Sequence, residues 1–264
     1  MTPKSHSSKS WLLRTVAIVA LTITCLTTTA AVNFSRESLN YKVLYKWGLV
    51  NKQAGHATLS LTPRGDEYIC QLTAASESWA DRFYKVRDTL NGAISISDLT
   101  PRIYEKIARE GGEVKHDVVR FSRDGAKTIG NCTRKEWDKN NKVKKDEKRT
   151  LDAYGTTVDM LSSFYYMRGL PYQDWKTGHL ITINIFSGKQ KELLTIKYRG
   201  TETIETDSGK SYTCYHISFL FTSDGGKKTS DDMDAWIDTS SRIPIKLEGK
   251  LKVGAVHCYY TGSN

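Results

Sequence analysis

The sequence predicts a mainly β protein, with antiparallel meanders forming curved sheets or a barrel-like sandwich and one central helix near 156–168. Three observations carry that expectation. Apolar residues recur with period two along most of the chain, turn-forming groups punctuate them at short intervals, and one segment alone changes to helical spacing. Hairpin-length spacing favours antiparallel meanders over βαβ units, which need a helical crossover between strands.

Taken in order, Tyr41, Val43, Tyr45, Trp47 and Leu49 mark one face of a first strand, and Ala57, Leu59 and Leu61 one face of the next. After a turn at Arg64-Gly65-Asp66, Tyr68, Cys70, Leu72 and Ala74 continue the series. Turns at Gly111-Gly112 and Asp124-Gly125 bracket a strand over Glu113–Asp124. Thr133–Thr150 then concentrates eight basic and four acidic residues. It reads as a solvated loop, with a patch touching lipid headgroups as the alternative.

The helical segment places Val158, Leu161 and Phe164/Tyr165 one turn apart. Thr156 with Asp159 three positions on forms a capping box, and Gly169 and Pro171 supply the stop. Its bulky residues read first as core packing. The functional alternative is that Phe164, Tyr165, Tyr166 and Met167 line an apolar cavity.

The second half repeats the style. Ile181, Ile183 and Ile185 precede a turn at Ser187-Gly188, and Leu194, Ile196 and Tyr198 open a long strand ending near Asp207-Ser208-Gly209. Tyr215, Ile217, Phe219 and Phe221 form the most apolar stripe, closed by Asp224-Gly225-Gly226. Met233, Ala235 and Ile237 mark a further strand, Thr239-Ser240-Ser241 turns, and Ile243, Ile245 and Leu247 follow. Pro244 stands near that strand's start, where a missing N–H is tolerated. Gly249-Lys250 is expected to bend the chain into a last strand with Leu251, Val253 and Ala255.

The first thirty residues read as a secretory signal peptide, not as part of the fold. Lys4, Lys9 and Arg14 precede an apolar core, Val16–Leu26, and small residues follow to Ala31. That core is shorter than the ~20 residues a spanning helix needs. Cys25 admits an outer-membrane lipoprotein, the less favoured reading because Thr22-Ile23-Thr24 lacks the small residue that normally precedes an acylated cysteine. Cleavage leaves one exported, periplasmic domain over 31–264, with no transmembrane span. It comprises an N-terminal sheet over about 41–134, a basic loop and helix over about 135–170, and a C-terminal sheet over about 179–261. Removing the three signal cations lowers the chain's +10 to +7, a mild attraction to anionic surfaces that gives no reason to invoke nucleic acid.

Four cysteines remain: Cys70, Cys132, Cys214 and Cys258. Export permits two disulfides in three connectivities, Cys214–Cys258 among them, while their position on strand patterns equally suits buried free thiols. Catalytic signatures are missing. The nucleophile elbow does not occur, and Asp207–Ser211 contains Gly-Lys-Ser without the upstream glycine of a phosphate-binding loop. His56, His116, His179, His216 and His257 show no metal-ligand spacing, so no cofactor or metal is expected. Asp231, Asp232, Asp234 and Asp238 read as a solvated face, with a weak hard-cation site as the alternative. Trp79, Trp137 and Trp175, in polar settings, are candidate aromatic platforms for sugars or partly buried anchors.

Two signatures carry a resemblance. The run Trp236, Asp238, Arg242, Ile243, Pro244, Ile245, Lys246 resembles the C-terminal pattern of a bacterial exported family, domain of unknown function 3108. Asp159, Leu161, Ser162, Tyr165 and Arg168 are similar to that family's central-helix pattern, and Gly200–Ile217 to its long hairpin. The resemblance implies a β-rich exported protein and transfers no catalytic residue. The reading preferred here is a non-enzymatic envelope protein binding a lipid or other apolar ligand in a β half-barrel, through Phe164, Tyr165, Met167, Arg168, Arg242 and Trp236. Envelope polysaccharide binding or processing, or structural assembly with a protein partner, is the alternative. Arg168 and Arg242 pair with Asp159 or Asp238 in the structural reading and hold an anionic headgroup in the functional one.

Overall fold

The computed structural model describes residues 33–206, 209–250 and 253–263; the segment read as a signal peptide, with Cys25, lies outside them. The N-terminal half is a run of long hairpins: β1 Glu37–Trp47, β2 Val50–Arg64, β3 Glu67–Ser76, β4 Val86–Ser95, β5 Pro101–Glu110, β6 Glu113–Asp124, β7 Lys127–Trp137 and β8 Val143–Tyr154. A short β9, Thr157–Val158, leads to helix α1, Ser162–Gly169. The C-terminal half contains β10 Leu180–Phe186, β11 Lys191–Glu205, β12 Ser211–Ser223, β13 Met233–Asp238, β14 Pro244–Lys250 and β15 Ala255–Ser263.

All fifteen strands belong to one sheet, ordered β8-β7-β6-β5-β4-β3-β2-β1-β15-β14-β13-β12-β11-β10-β9. Each neighbouring pair is antiparallel except β9–β10, which is parallel. The two edge strands, β8 and β9, are consecutive in the chain and joined only by Gly155-Thr156. The sheet therefore wraps into a nearly closed barrel shape, as the period-two pattern predicts. Asn184 donates from its side-chain amide to the Tyr154 and Thr156 carbonyls at 2.9 and 3.2 Å, substituting for ladder bonds across the seam. Gly130 on β7 is a close-approach glycine: a Cβ there would lie 2.5 Å from the Phe186 ring of β10. Phe186 in turn stacks on Phe121, with centroids 5.9 Å apart.

Thr133–Thr150 is not a loop. It is the tip of the β7–β8 hairpin, with Arg134 opposite Glu147 and Lys135 opposite Asp146. Alternating opposite charges pair across the two strands, and charged side chains along β8 blunt an otherwise open sheet edge. The chain also turns later than expected near its end. Gly249 and Lys250 still pair with Val256 and Ala255, so the reversal falls beyond them.

Helix α1 starts six residues after the predicted onset because Thr157–Val158 is drawn into pairing with β10. Asp159, not Thr156, opens the capping box. Its Oδ1 accepts from the Ser162 N–H at 2.8 Å, and its own N–H donates to Ser162 Oγ at 2.9 Å. The helix stops at Gly169 ahead of Pro171, as predicted. It plugs one end of the barrel and packs against both halves. Leu161 and Tyr165 enter the core of the N-terminal strands, and Met167 enters that of the C-terminal strands.

The four described cysteines are free thiols, so the permitted disulfides do not form. Cys214 on β12 and Cys258 on β15 have two strands between them, about 14 Å at a spacing of ~4.8 Å per strand, twice what a bridge spans. Burial pushes the Cys70 and Cys214 thiols up to about 12.

Candidate functional site

Strand register defines the site. Tyr41, Val43 and Tyr45 on β1 stand opposite Tyr260, Cys258 and Val256 on β15. Side chains alternate between faces, so directly paired residues share one, and buried Tyr41 identifies it as the barrel interior. Tyr41 and Cys258 line an apolar cavity of about 100 Å³, together with Leu59, Leu72, Leu247 and Phe164 of α1. Tyr45 and Val256 line an apolar groove of about 500 Å³ at the barrel rim, with Trp47, Trp79 and Phe83. Tyr41 and Tyr45 are separated by about 14 Å of extended chain at ~3.4 Å per residue. Half-buried Val43 lies between them on the same face, so cavity and rim groove are aligned along β1.

The Tyr41 hydroxyl is buried beside the cavity and has no hydrogen-bond partner among the described residues. Burial raises its pKa far above the usual phenol value, so it remains an O–H donor. A buried hydroxyl without a partner is costly and calls for an explanation.

Elsewhere the inner face becomes charged. Lys106 pairs in register with Asp117, and Asp117 with Arg134. Arg134 Nη1 reaches both Asp117 carboxylate oxygens at 2.9 Å, and its Nε donates to Glu136 at 2.6 Å. Desolvation raises the Asp117 pKa even against the pull of Arg134. The β10–β11 turn covers this group: a Cβ on Gly188, whose φ is +84°, would sit 2.7 Å from Asp117 Cβ. Asp88 is also raised, first by burial and then by the neighbouring Glu110 carboxylate.

The residues nominated from sequence separate into different roles. Phe164 faces the cavity. Tyr165 is fully buried and donates from its hydroxyl to the Ser60 carbonyl at 3.1 Å. Met167 packs in the C-terminal core. Arg168 pairs with Glu37, not with Asp159 or Asp238: Nη1 and Nη2 bind its two carboxylate oxygens, and Nε donates to the Arg242 carbonyl at 2.8 Å. Among the described residues Arg242 makes no carboxylate pair either. It donates to the Leu170 carbonyl at 2.8 Å and to Gln173 at 2.9 Å, with its guanidinium 4.9 Å from the centre of the Tyr215 ring. Trp236 belongs to a small separate cluster with Cys214 and Ile245, stacked on His216 at 4.5 Å.

The acidic run is dispersed by its own partners. Asp234 binds His216 at 2.9 Å, Asp238 holds the Ser241 N–H at 2.8 Å, and Asp232 meets Lys228 at 3.1 Å. Of the three tryptophans, Trp79 joins the rim groove, while Trp175 packs edge-on to Tyr172 at 5.2 Å. Tyr41 and the rim residue Phe83 were not nominated. The alternation at Tyr41 marks an inward face, but nothing local signals an unpartnered hydroxyl.

Asp159 is enclosed, and its second oxygen, Oδ2, is unpartnered among the described residues. Burial lifts its carboxyl pKa from 3.8 to about 6, against the pull of the hydrogen bonds from Ser162 and Leu161. A raised carboxyl pKa contributes stability below the unfolded value, and that contribution is lost as pH rises through the folded one. Asp159→Asn is expected to flatten the pH dependence of stability between about pH 4 and 6. Urea midpoints across that window test it, and an unchanged slope would argue against a buried carboxyl titrating there.

A nearly closed, barrel-shaped and almost wholly antiparallel sheet, with one helix packed against both halves of its core, defines the class. The chain belongs to the family described as Protein of unknown function (DUF3108), whose profile matches residues 40–259. Its fold is similar to that of the beta-barrel-like protein of domain of unknown function DUF1849 from Brucella abortus. That match has 10% identity and a TM-score of 0.60, covering 88% of this chain and 98% of that one. A looser likeness is to a protein provisionally described as exported, with a YmcC-like fold, from Bacteroides fragilis, at 8% identity and TM-score 0.38, covering 88% and 97%. Another is to a protein provisionally described as a lipoprotein, from Parabacteroides distasonis, at 9% identity and TM-score 0.34, covering 88% and 96%. No curated protein matches the chain. Among the described residues, no helix is long and apolar enough to cross a membrane.

Proposed function

We propose that this chain is an exported, non-enzymatic envelope protein that binds an amphiphile along the apolar track from the barrel rim to Phe164. Export rests on the charged, apolar and small-residue order of the first thirty residues. The binding reading rests on one observation, the colinear apolar face of β1 and β15 ending beside the unpartnered Tyr41 hydroxyl. A ligand oxygen accepting from Tyr41 would satisfy that donor.

Size sets the mode of binding. The inner cavity, about 100 Å³, is equivalent to about three waters at ~30 Å³ each. Ligand sites commonly occupy ~300–1,000 Å³, a range that the rim groove of about 500 Å³ reaches by itself and the inner cavity does not. The bulk of the ligand would therefore lie in the rim groove, with room for only a short apolar end in the cavity beside Phe164. Tyr165, Met167 and Arg168 hold the helix that presents Phe164, Arg242 fastens the chain after that helix, and Trp236 stands apart from the track.

Native mass spectrometry of protein recovered from the envelope, followed by organic extraction, is expected to find a stoichiometric amphiphile. Tyr41→Phe should melt at nearly the wild-type temperature, because it removes a hydroxyl that bonds nothing among the described residues. It should nevertheless weaken binding of the extracted ligand about three- to tenfold, the worth of one hydrogen bond of ~0.5–1.5 kcal/mol. A bare mass that persists after incubation with envelope lipids would overturn the reading in favour of a glycan or protein partner.

A further inference from the structure

The rim itself carries a second feature. Strands β1, β3 and β14 run in the same direction, so the β1–β2, β3–β4 and β14–β15 connections all lie at one end of the barrel. Exposed apolar side chains project from each of them. Trp47 and a fully exposed Leu49 occupy the first, Phe83, 83% exposed, and Tyr84 the second, and Val253 the third. The chain enters the sheet at the opposite end, where Glu37 meets Arg168.

We propose that this rim docks on the surface of an anionic lipid bilayer. Charge favours that occupant. Lys46, Lys52, Arg82 and Lys85 flank the aromatic tips, and Lys52 Nζ stands 4.5 Å from the centre of the Trp79 ring. Several neighbouring acids are already paired with cations set back from the tips: Asp81 with Arg87 at 2.7 Å, Glu110 with Lys115 at 3.7 Å and Glu113 with Lys144 at 2.7 Å, while Glu77 stays partly exposed beside His56. Lys52, Arg82 and Lys85 are exposed around the apolar tips.

The shape points the same way. The apolar side chains stand on separate hairpin tips, a form suited to entering between headgroups. Tryptophan and tyrosine favour the membrane–water interface, and basic residues are drawn to anionic leaflets. Docking there would lay the open end of the apolar track on lipid. The inference stands on the outer rim alone and does not require an internal ligand.

The test uses the exported, processed protein and vesicles of phosphatidylethanolamine with phosphatidylglycerol, compared with phosphatidylcholine alone. Binding is expected on the anionic vesicles, weakened by added salt. The triple variant Trp47→Ser, Leu49→Ser, Phe83→Ser should bind about tenfold or more weakly, because three apolar side chains no longer leave water. Its melting temperature should hold, since all three residues are exposed. Brominated lipid should quench tryptophan emission in the wild type and lose that effect when Trp47→Ser is made. Undiminished binding by the triple variant, absence of quenching, or a rim that captures a protein while ignoring vesicles would each overturn the proposal. Loss of a co-purified amphiphile in Tyr41→Phe with vesicle binding intact would uphold docking.

Discussion

Arg168→Ala is expected to destabilise the protein by about 3–5 kcal/mol, the usual cost of removing one partner of a buried ion pair. At this chain length that corresponds to a fall of roughly 6–20 °C in melting temperature. Arg168 is 1% exposed, and its guanidinium is the donor that satisfies both oxygens of a nearly buried Glu37. It also holds the Arg242 carbonyl and lies 4.5 Å from the centre of the Phe34 ring. One side chain therefore ties helix α1 to the first strand and to the β13–β14 turn. Arg168→Lys keeps the charge but loses the forked geometry, so it should fall between alanine and wild type. Arg168→Met with Glu37→Met should recover much of the loss, because the remaining charge has gone with its partner. If the double variant melts as low as Arg168→Ala, the account in terms of an unpaired buried carboxylate is wrong.

Arg134→Met should be the next most damaging change, and its cost should depend on pH. The substitution strands Asp117, which is 3% exposed beneath the Gly188 turn. At neutral pH a loss of about 3 kcal/mol is expected. Asp117 can escape by taking up a proton, and its pKa is already raised by burial with Arg134 present. Without that cation the pKa rises further. A carboxyl of raised folded pKa contributes stability at low pH that disappears as pH climbs through the folded value. The gap between wild type and variant should therefore narrow on acidification. Paired urea titrations at neutral and mildly acidic pH measure it, and a constant gap would mean that Arg134 acts through packing alone.

Both arginines show how far the sequence could be read. Arg168 stood out as part of a motif, but its partner is 131 residues away on β1, where no local spacing points. Asp159 was legible as a capping-box residue with Thr156, but its partner is Ser162, one turn later. Thr133–Thr150 misled because its composition is that of a solvated loop. In the fold its opposite charges lie across a hairpin, where alternation in charge replaces alternation in hydrophobicity. Phe164 was legible as a bulky residue on a lone helix in a β protein. Tyr41 was legible as inward-facing, but its unpartnered hydroxyl was not.

The sequence by itself determined the antiparallel β class, most of the strands read by period two, and the single helix with its stop at Gly169-Leu170-Pro171. Those features follow from period, turn chemistry and capping, all of which act over a few residues. Only the tertiary structure decided that β8 and β9 meet at a seam, that Cys214 and Cys258 lie too far apart to join, and that Arg168 answers Glu37. It alone brought Tyr41 beside Tyr260 and Tyr45 beside Val256, aligning rim and cavity on one face. The physical reason is the same in each case. The pairing of β1 with β15 joins residues more than two hundred positions apart, and such register is chosen by the packing of the whole interior, to which each short stretch of sequence contributes only one wall.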